Sequence, residues 1–246
     1  MCFHGYGLSK EIFIPLQNYA NNRYTFYSFD LLYHGESKWE NEKNSLTEIK
    51  LQEIIGAFLK SEKIDCFSLL GFSMGGKTVL KLIELFPKKV KNVFLIAPDG
   101  IKTSIWYNLA TYPLIFSSLF KAIVHNPYIF ELIIKMMRMI NLMDKGILKF
   151  ALNEMNTSEK RKRVYYSWIV YKKLKPNISK CVDIINVYKI QLSMITGVFD
   201  KVIRTEEMIK FCNRLNSCNF VELRCGHTTL IQHFCIEENL TKAKFI

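Results

Sequence analysis

Gly71-Phe72-Ser73-Met74-Gly75-Gly76 stands between an apolar run, Phe67 to Phe72, and a stretch with apolar residues at helical spacing, Met74 to Phe86. Gly-x-Ser-x-Gly at a strand-to-helix turn holds its serine in a strained backbone conformation, and the small residues around it let strand and helix approach closely. Ser73 is therefore the candidate nucleophile; the plain reading of the same residues is a tight turn with a capping serine. A hydroxyl is a weak nucleophile without a base, and the base needs an acid that fixes its tautomer. Both types occur downstream. Asp200 follows the apolar run Ile190 to Gly197 and His227 follows Asn219 to Arg224, so the chain order is Ser, Asp, His. Carboxyl ends of parallel strands share one edge of a sheet, where residues distant in sequence converge.

Attack on an acyl carbon builds negative charge on its oxygen, which calls for two backbone N–H donors already in place. His4-Gly5-Tyr6-Gly7 ends the first apolar run and opens a loop. The N–H of Tyr6 and that of Met74, the first residue after the nucleophile, are the expected oxyanion donors. A glycine turn is the alternative for the first. Chemistry of this kind needs no cofactor and no metal.

The elements that must hold these residues alternate between two periods. Tyr24 to Asp30, Phe67 to Phe72, Asn92 to Ala97, Ile190 to Gly197 and Asn219 to Arg224 are short and apolar or alternating, as buried strands are. Ser45 to Lys63, Met74 to Phe86, Thr205 to Leu215 and Thr228 to Ala243 show helical spacing. Strand and helix in alternation predict an α/β three-layer sandwich with a mainly parallel sheet. Ile101 to Lys189 differs in kind: it is helical in pattern and rich in Ile, Leu, Met, Phe and Tyr. It reads as an insertion between two parts of one core, residues 1–100 and 190–246.

The whole chain has 246 residues and a formal charge of +12. Between Ile101 and Ile190 there are 15 Lys and Arg against 5 Asp and Glu, so the basicity belongs to the insertion. No stacking or groove-reading motif accompanies it, which excludes nucleic acid as the expected partner; Lys160 to Arg163 reads as a solvated helix face. Seven scattered cysteines without a CxxC pair read as free thiols in a reducing compartment, and the start lacks a signal-peptide pattern, so the expected location is cytoplasmic. No transmembrane segment is expected, although the basic insertion allows weak contact with an anionic membrane surface.

Taken in order, HGYG, FDLLYHGES (Phe29 to Ser37), GFSMGG, GVFDKVI and CGHTTL resemble the motifs of the α/β-hydrolase fold superfamily over essentially the whole chain. The resemblance implies an oxyanion loop, a loop fixed by an aspartate, the nucleophile elbow, and acid and base loops, with Ile101 to Lys189 in the place of a helical cap. Members usually carry two further strands before the oxyanion loop. Here His4 is nearly at the start, as a short form or a late start codon would make it, so six strands are expected and an open sheet edge that favours a homodimer. Arg204 stands where a proline is common and Gln232 where a glutamate often follows the base.

The function expected is serine-dependent hydrolysis of an ester, thioester or related acyl compound, with a small, hydrophobic acyl substrate. The alternative keeps the fold and triad for carbon-carbon bond hydrolysis, lyase or cofactor-free oxidative chemistry, or for a slow ligand receptor. Trp106, Tyr107, Tyr112, Phe116, Phe120, Met136, Met137 and Met139 can line an acyl pocket or simply pack cap helices. Asp99 is the alternative acid. His34 reads as a loop-fixing residue, Asp30 as a strand-end hydrogen-bonding residue, His125 and His233 as cap and surface residues, and Cys225 as packing.

Overall fold

The computed structural model describes residues 1–20, 24–40, 45–102, 121–122, 124, 126–139, 152–153 and 155–244. Six strands, β1 (Cys2–Phe3), β2 (Ser28–Phe29), β3 (Phe67–Phe72), β4 (Val90–Ile96), β5 (Gln191–Gly197) and β6 (Asn219–Leu223), form one sheet. Their order is β2-β1-β3-β4-β5-β6 and every neighbouring pair is parallel. The chain runs outward from β1 to β2, then crosses back to β3 and continues the other way. That reversal leaves a crevice at the carboxyl ends of β1 and β3, where the connecting loops depart in opposite directions.

The sheet is buried on both faces, which is why its central strands read as near-continuous apolar runs. Alternate residues Leu70, Phe72, Phe94, Ile96, Ile195, Val221 and Leu223 belong to one core cluster. Phe13 and Leu16 join it from a 3-10 turn (Lys10–Phe13) and α1 (Ile14–Ala20). The intervening Leu69, Val93, Leu95 and Met194 are buried as well. α3 (Met74–Leu85) packs on β1, β3 and β4, with Val79, Leu80, Leu82 and Ile83 fully buried.

Local signals set the helix starts. α2 (Glu48–Ser61) begins where the Thr47 hydroxyl accepts the Lys50 N–H, and α6 (Ile178–Val187) begins where Asn177 accepts the Lys180 N–H. α7 spans Thr205–Cys212. The last helical stretch is two helices, α8 (Leu230–Phe234) and α9 (Glu237–Lys242), after a 3-10 turn at His227–Thr229. The break lets Leu230, Ile231 and Phe234 from one helix, Leu240 from the other and Ala243 just after it reach the same core cluster. Cys212 and Cys218 form a disulfide with Cα atoms 5.6 Å apart, a correction to the reading of seven free thiols. The end of α7 and the start of β6 bring them together, which spacing alone does not reveal.

The chain divides into two compact units. The first comprises Met1–Ser37, Leu46–Lys102 and Lys173–Ile246, and contains the whole sheet; the second comprises Lys38–Ser45 and Thr103–Lys172. α6 lies in the first unit, where it packs on α3 and its Cys181 thiol donates to the Leu80 carbonyl. Within the second unit, α4 (Pro127–Met139) and α5 (Ser158–Tyr171) are joined by Arg161, and the Ser45 hydroxyl donates to the Ile169 carbonyl.

Candidate active site

β3 ends at Phe72, and Ser73 turns directly into α3 with φ 49° and ψ −116°, a left-handed conformation costly for a non-glycine residue. The surroundings over-determine it. The Ser73 N–H donates to the Ile96 carbonyl at 3.0 Å, and its carbonyl accepts from the N–H groups of Gly76 and Asp99, both at 2.8 Å. Glycine is required by close approach: a Cβ on Gly75 would run into the Phe3 carbonyl, and one on Gly71 would lie 2.8 Å from Val79 and 2.9 Å from the Gly75 carbonyl. Strand β1 and the elbow helix therefore meet backbone to backbone.

The loops after β5 and β6 bring two more residues to this turn. His227 Nε2 lies 2.9 Å from Ser73 Oγ, and His227 Nδ1 lies 2.6 Å from Asp200 Oδ2. The other Asp200 oxygen accepts from the N–H groups of Val202 and Ile203 at 2.8 and 2.9 Å. The carboxylate is thus buried and held from both sides. The imidazole stacks on Phe72, with ring centres 5.4 Å apart, so the residue before the nucleophile sets the plane of the ring. Asp99 does not enter this chain of hydrogen bonds; its carboxylate pairs with the buried ammonium of Lys77 at 3.1 Å.

The loop after β1 approaches from the opposite side of the crevice. A Cβ on Gly5 would lie 3.2 Å from Ser73 Cβ, which places Gly5-Tyr6 beside the nucleophile. Met74 is the first residue of α3, and a helix leaves its first N–H groups without acceptors in the helix itself. His4 is fully buried: Nδ1 donates to the Gly5 carbonyl at 2.7 Å, and Nε2 accepts the Leu31 N–H at 2.9 Å. Only the neutral imidazole can do both, and burial pushes its pKa below the ordinary histidine value. Asp30 completes the brace by accepting from the N–H groups of Lys10 and Glu36 at 2.7 and 3.2 Å. Burial works against its charge, yet these N–H groups and the Lys10 ammonium hold its carboxyl below the usual carboxylate range. Tyr6 packs edge-on against His34, whose Nδ1 faces the Leu32 carbonyl.

All five residues expected at the site sit at the carboxyl edge of the sheet: Tyr6 after β1, Ser73 and Met74 after β3, Asp200 after β5, His227 after β6. The bracing by Phe72 and the Asp99–Lys77 pair were missed in the sequence, since neither follows from spacing. Among the described residues no group of three or more His, Cys, Asp or Glu side chains gathers as a metal ion would need. Trp106, Tyr107, Tyr112, Phe116, Phe120 and His125 lie outside the described residues.

A sequence model of the alpha/beta hydrolase fold family matches residues 1–119. An esterase from Thermogutta terrifontis superposes with a TM-score of 0.68 at 13% identity, covering 99% of this chain and 86% of that one. The chain has the α/β-hydrolase fold. A serine hydrolase of a Cycloclasticus bacterium shares this fold with a TM-score of 0.63 at 19% identity, covering 99% of this chain and 88% of its own. A Mycoplasma genitalium protein named "Putative esterase/lipase 2" is 26% identical over 99 residues, and its Mycoplasma pneumoniae counterpart is 27% identical over 99. Those stretches cover 39% of this chain and only 35% of the relatives' own length.

Proposed function

We propose that this protein is a serine hydrolase acting on an ester, thioester or related acyl compound. The observation that carries the reading is the continuous line from Asp200 through His227 to Ser73 Oγ, at 2.6 and 2.9 Å. Ser73 Oγ attacks the acyl carbon and its proton passes to His227 Nε2. Asp200 holds the Nδ1–H and stabilises the imidazolium. The N–H groups of Tyr6 and Met74 receive the oxyanion, each contributing on the order of 3 kcal/mol. The tetrahedral adduct collapses, the leaving alcohol or thiol takes the proton from His227, and an acyl-Ser73 remains. Water then attacks with its proton going to His227, and as the Oγ–acyl bond breaks His227 returns that proton to Ser73 Oγ, releasing the acid and the free serine. Of the inserted segment, Thr103 to Lys172 serves as the cap, since the stretch from Lys173 belongs to the sheet-bearing unit, and its apolar residues favour a hydrophobic acyl chain.

A fluorophosphonate probe tests the nucleophile, and a panel of esters and thioesters of increasing acyl length tests the substrate class. The expected result is one adduct on Ser73, abolished in Ser73→Ala, and kcat/KM rising up to about fourfold per added methylene until the pocket is full. Full turnover by Ser73→Ala overturns the mechanism, and a flat chain-length profile overturns the acyl preference.

A further inference from the structure

Helix α4 turns two unlike faces in opposite directions. Asn126 starts it, its side-chain oxygen accepting the N–H groups of Tyr128 and Ile129 at 3.0 and 3.4 Å, and Pro127 follows with the φ a first helical turn requires. Phe130 is buried, and the Arg161 guanidinium lies 5.9 Å from its ring centre. Arg161 Nε and Nη1 donate to the carbonyls of Val124 and Met155, both at 3.1 Å, which fixes the inward side of the helix. On the other side Tyr128, Leu132 and Met136, four residues apart and so on one face, are 80%, 59% and 56% exposed. Lys135 is exposed beside Leu132 and Met136 on that face, and Glu131 is exposed at its edge.

Three large apolar side chains in a row on the outside of a helix mark a surface that something covers. Charge selects the occupant. The chain from Thr103 to Lys172 carries ten Lys and Arg against four Asp and Glu, within a protein of net charge +12. A second copy would bring the same positive charge against itself, whereas an anionic lipid surface attracts it. An outward apolar stripe with a flanking lysine is the form of a helix that lies in the plane of the headgroups. The Tyr128 ring suits that level, and the Lys135 stem can follow the acyl boundary while its ammonium stays among the phosphates. No described helix is long and apolar enough to cross a membrane.

We propose that α4 docks this protein on the surface of an anionic lipid bilayer, with Tyr128, Leu132 and Met136 at the boundary between headgroups and acyl chains. Binding is independent of the proposed hydrolysis, so Ser73→Ala binds as the unaltered protein does. The test is co-sedimentation of the full chain with vesicles of equimolar phosphatidylcholine and phosphatidylglycerol, and with phosphatidylcholine alone, at low and high salt. The expected partitioning onto the anionic vesicles is at least about tenfold stronger, is weakened by salt, and falls at least about tenfold in Leu132→Asp. Tyr128→Ser with Met136→Ser provides a second variant whose side chains are exposed, and circular dichroism verifies that each variant keeps its fold. Equal binding to both vesicle types overturns the proposal, as does undiminished binding by the folded stripe variants. A dimer in light scattering that the stripe variants convert to monomer also overturns it, in favour of a second copy.

Discussion

His227 stands at the meeting of two hydrogen bonds that leave it one useful tautomer, with the proton on the nitrogen facing Asp200 and the lone pair toward Ser73 Oγ. Under the proposed mechanism, Asp200→Asn keeps the shape but presents an amide that can donate, which favours the wrong tautomer, and kcat should drop by about 10⁴-fold. Ser73→Ala and His227→Ala should each lose at least about 10³-fold, with little further loss when combined. Asp99→Asn should stay within about tenfold in steady-state assays, because the Asp99 group that touches Ser73 is its backbone N–H. The reverse ranking of the two aspartate variants would move the acid to the loop after β4. His4 carries a second prediction. Its folded pKa lies below the ordinary value, so the unfolded chain takes up a proton first as the pH falls. The His4 contribution to stability is therefore complete above about pH 6.5 and is lost below it, toward the lower folded pKa. Urea midpoints between pH 7 and 5 should fall for the unaltered protein, and His4→Gln should be less stable at pH 7 but flatter across that range. An equal slope in both proteins would count against a buried neutral His4.

The elements show why some of this was legible in the sequence. β3, β4 and β5 were visible as largely apolar runs because a sheet covered on both faces calls for apolar residues on both sides of its central strands, and the edge strand β6 as a run alternating between buried and exposed residues. β2 was visible only in part: the run Tyr24 to Asp30 yields a two-residue strand at the sheet edge. Its aromatic residues serve packing instead, Phe29 stacking on Phe3 at 5.3 Å and Tyr27 meeting Phe58 edge-on at 5.0 Å. The turn and helix from Lys10 to Ala20 were not visible, since Phe13 and Leu16 alone make too short a pattern. α6 has the same buried Cys181, Val182 and Ile185 that any packed helix shows, and nothing in that pattern tells which unit it packs on. Two glycines test the packing argument at this scale. Gly75→Ala drives a methyl group into the Phe3 backbone, where nothing flexible can give, and should destabilise by about 2–4 kcal/mol. Gly56→Ala, in the middle of α2 with no atom within 4 Å of the added carbon, should stabilise by about 0.5–1 kcal/mol. Thermal or urea denaturation of the two variants checks the contrast; similar effects would mean that the elbow tolerates separation from β1.

For the whole molecule, the charge is an argument about encounter and leaves the fold aside. The +12 total comes from 34 basic and 22 acidic residues, and the chain from Ile101 to Ile190 holds 15 of the first against 5 of the second. The total was plain in the sequence, but its consequence was not, because some cations are already engaged: Lys77, Lys81 and Arg161 are buried in ion pairs or against carbonyls. The exposed remainder sets a long-range positive field that salt screens over roughly 10 Å at moderate ionic strength. A field of this kind acts on a charged substrate before contact and leaves a neutral one unaffected. Paired acyl substrates that share one acyl chain and differ only in a leaving group, one phosphate-bearing and one neutral, isolate it. As salt rises, kcat/KM for the anionic member should fall severalfold while kcat holds and the neutral member barely responds. Screening weakens encounter and leaves the bonds among Ser73, His227 and Asp200 in place, so a matching decline for both members would place the salt effect on the folded site and reduce the basic surface to solvation.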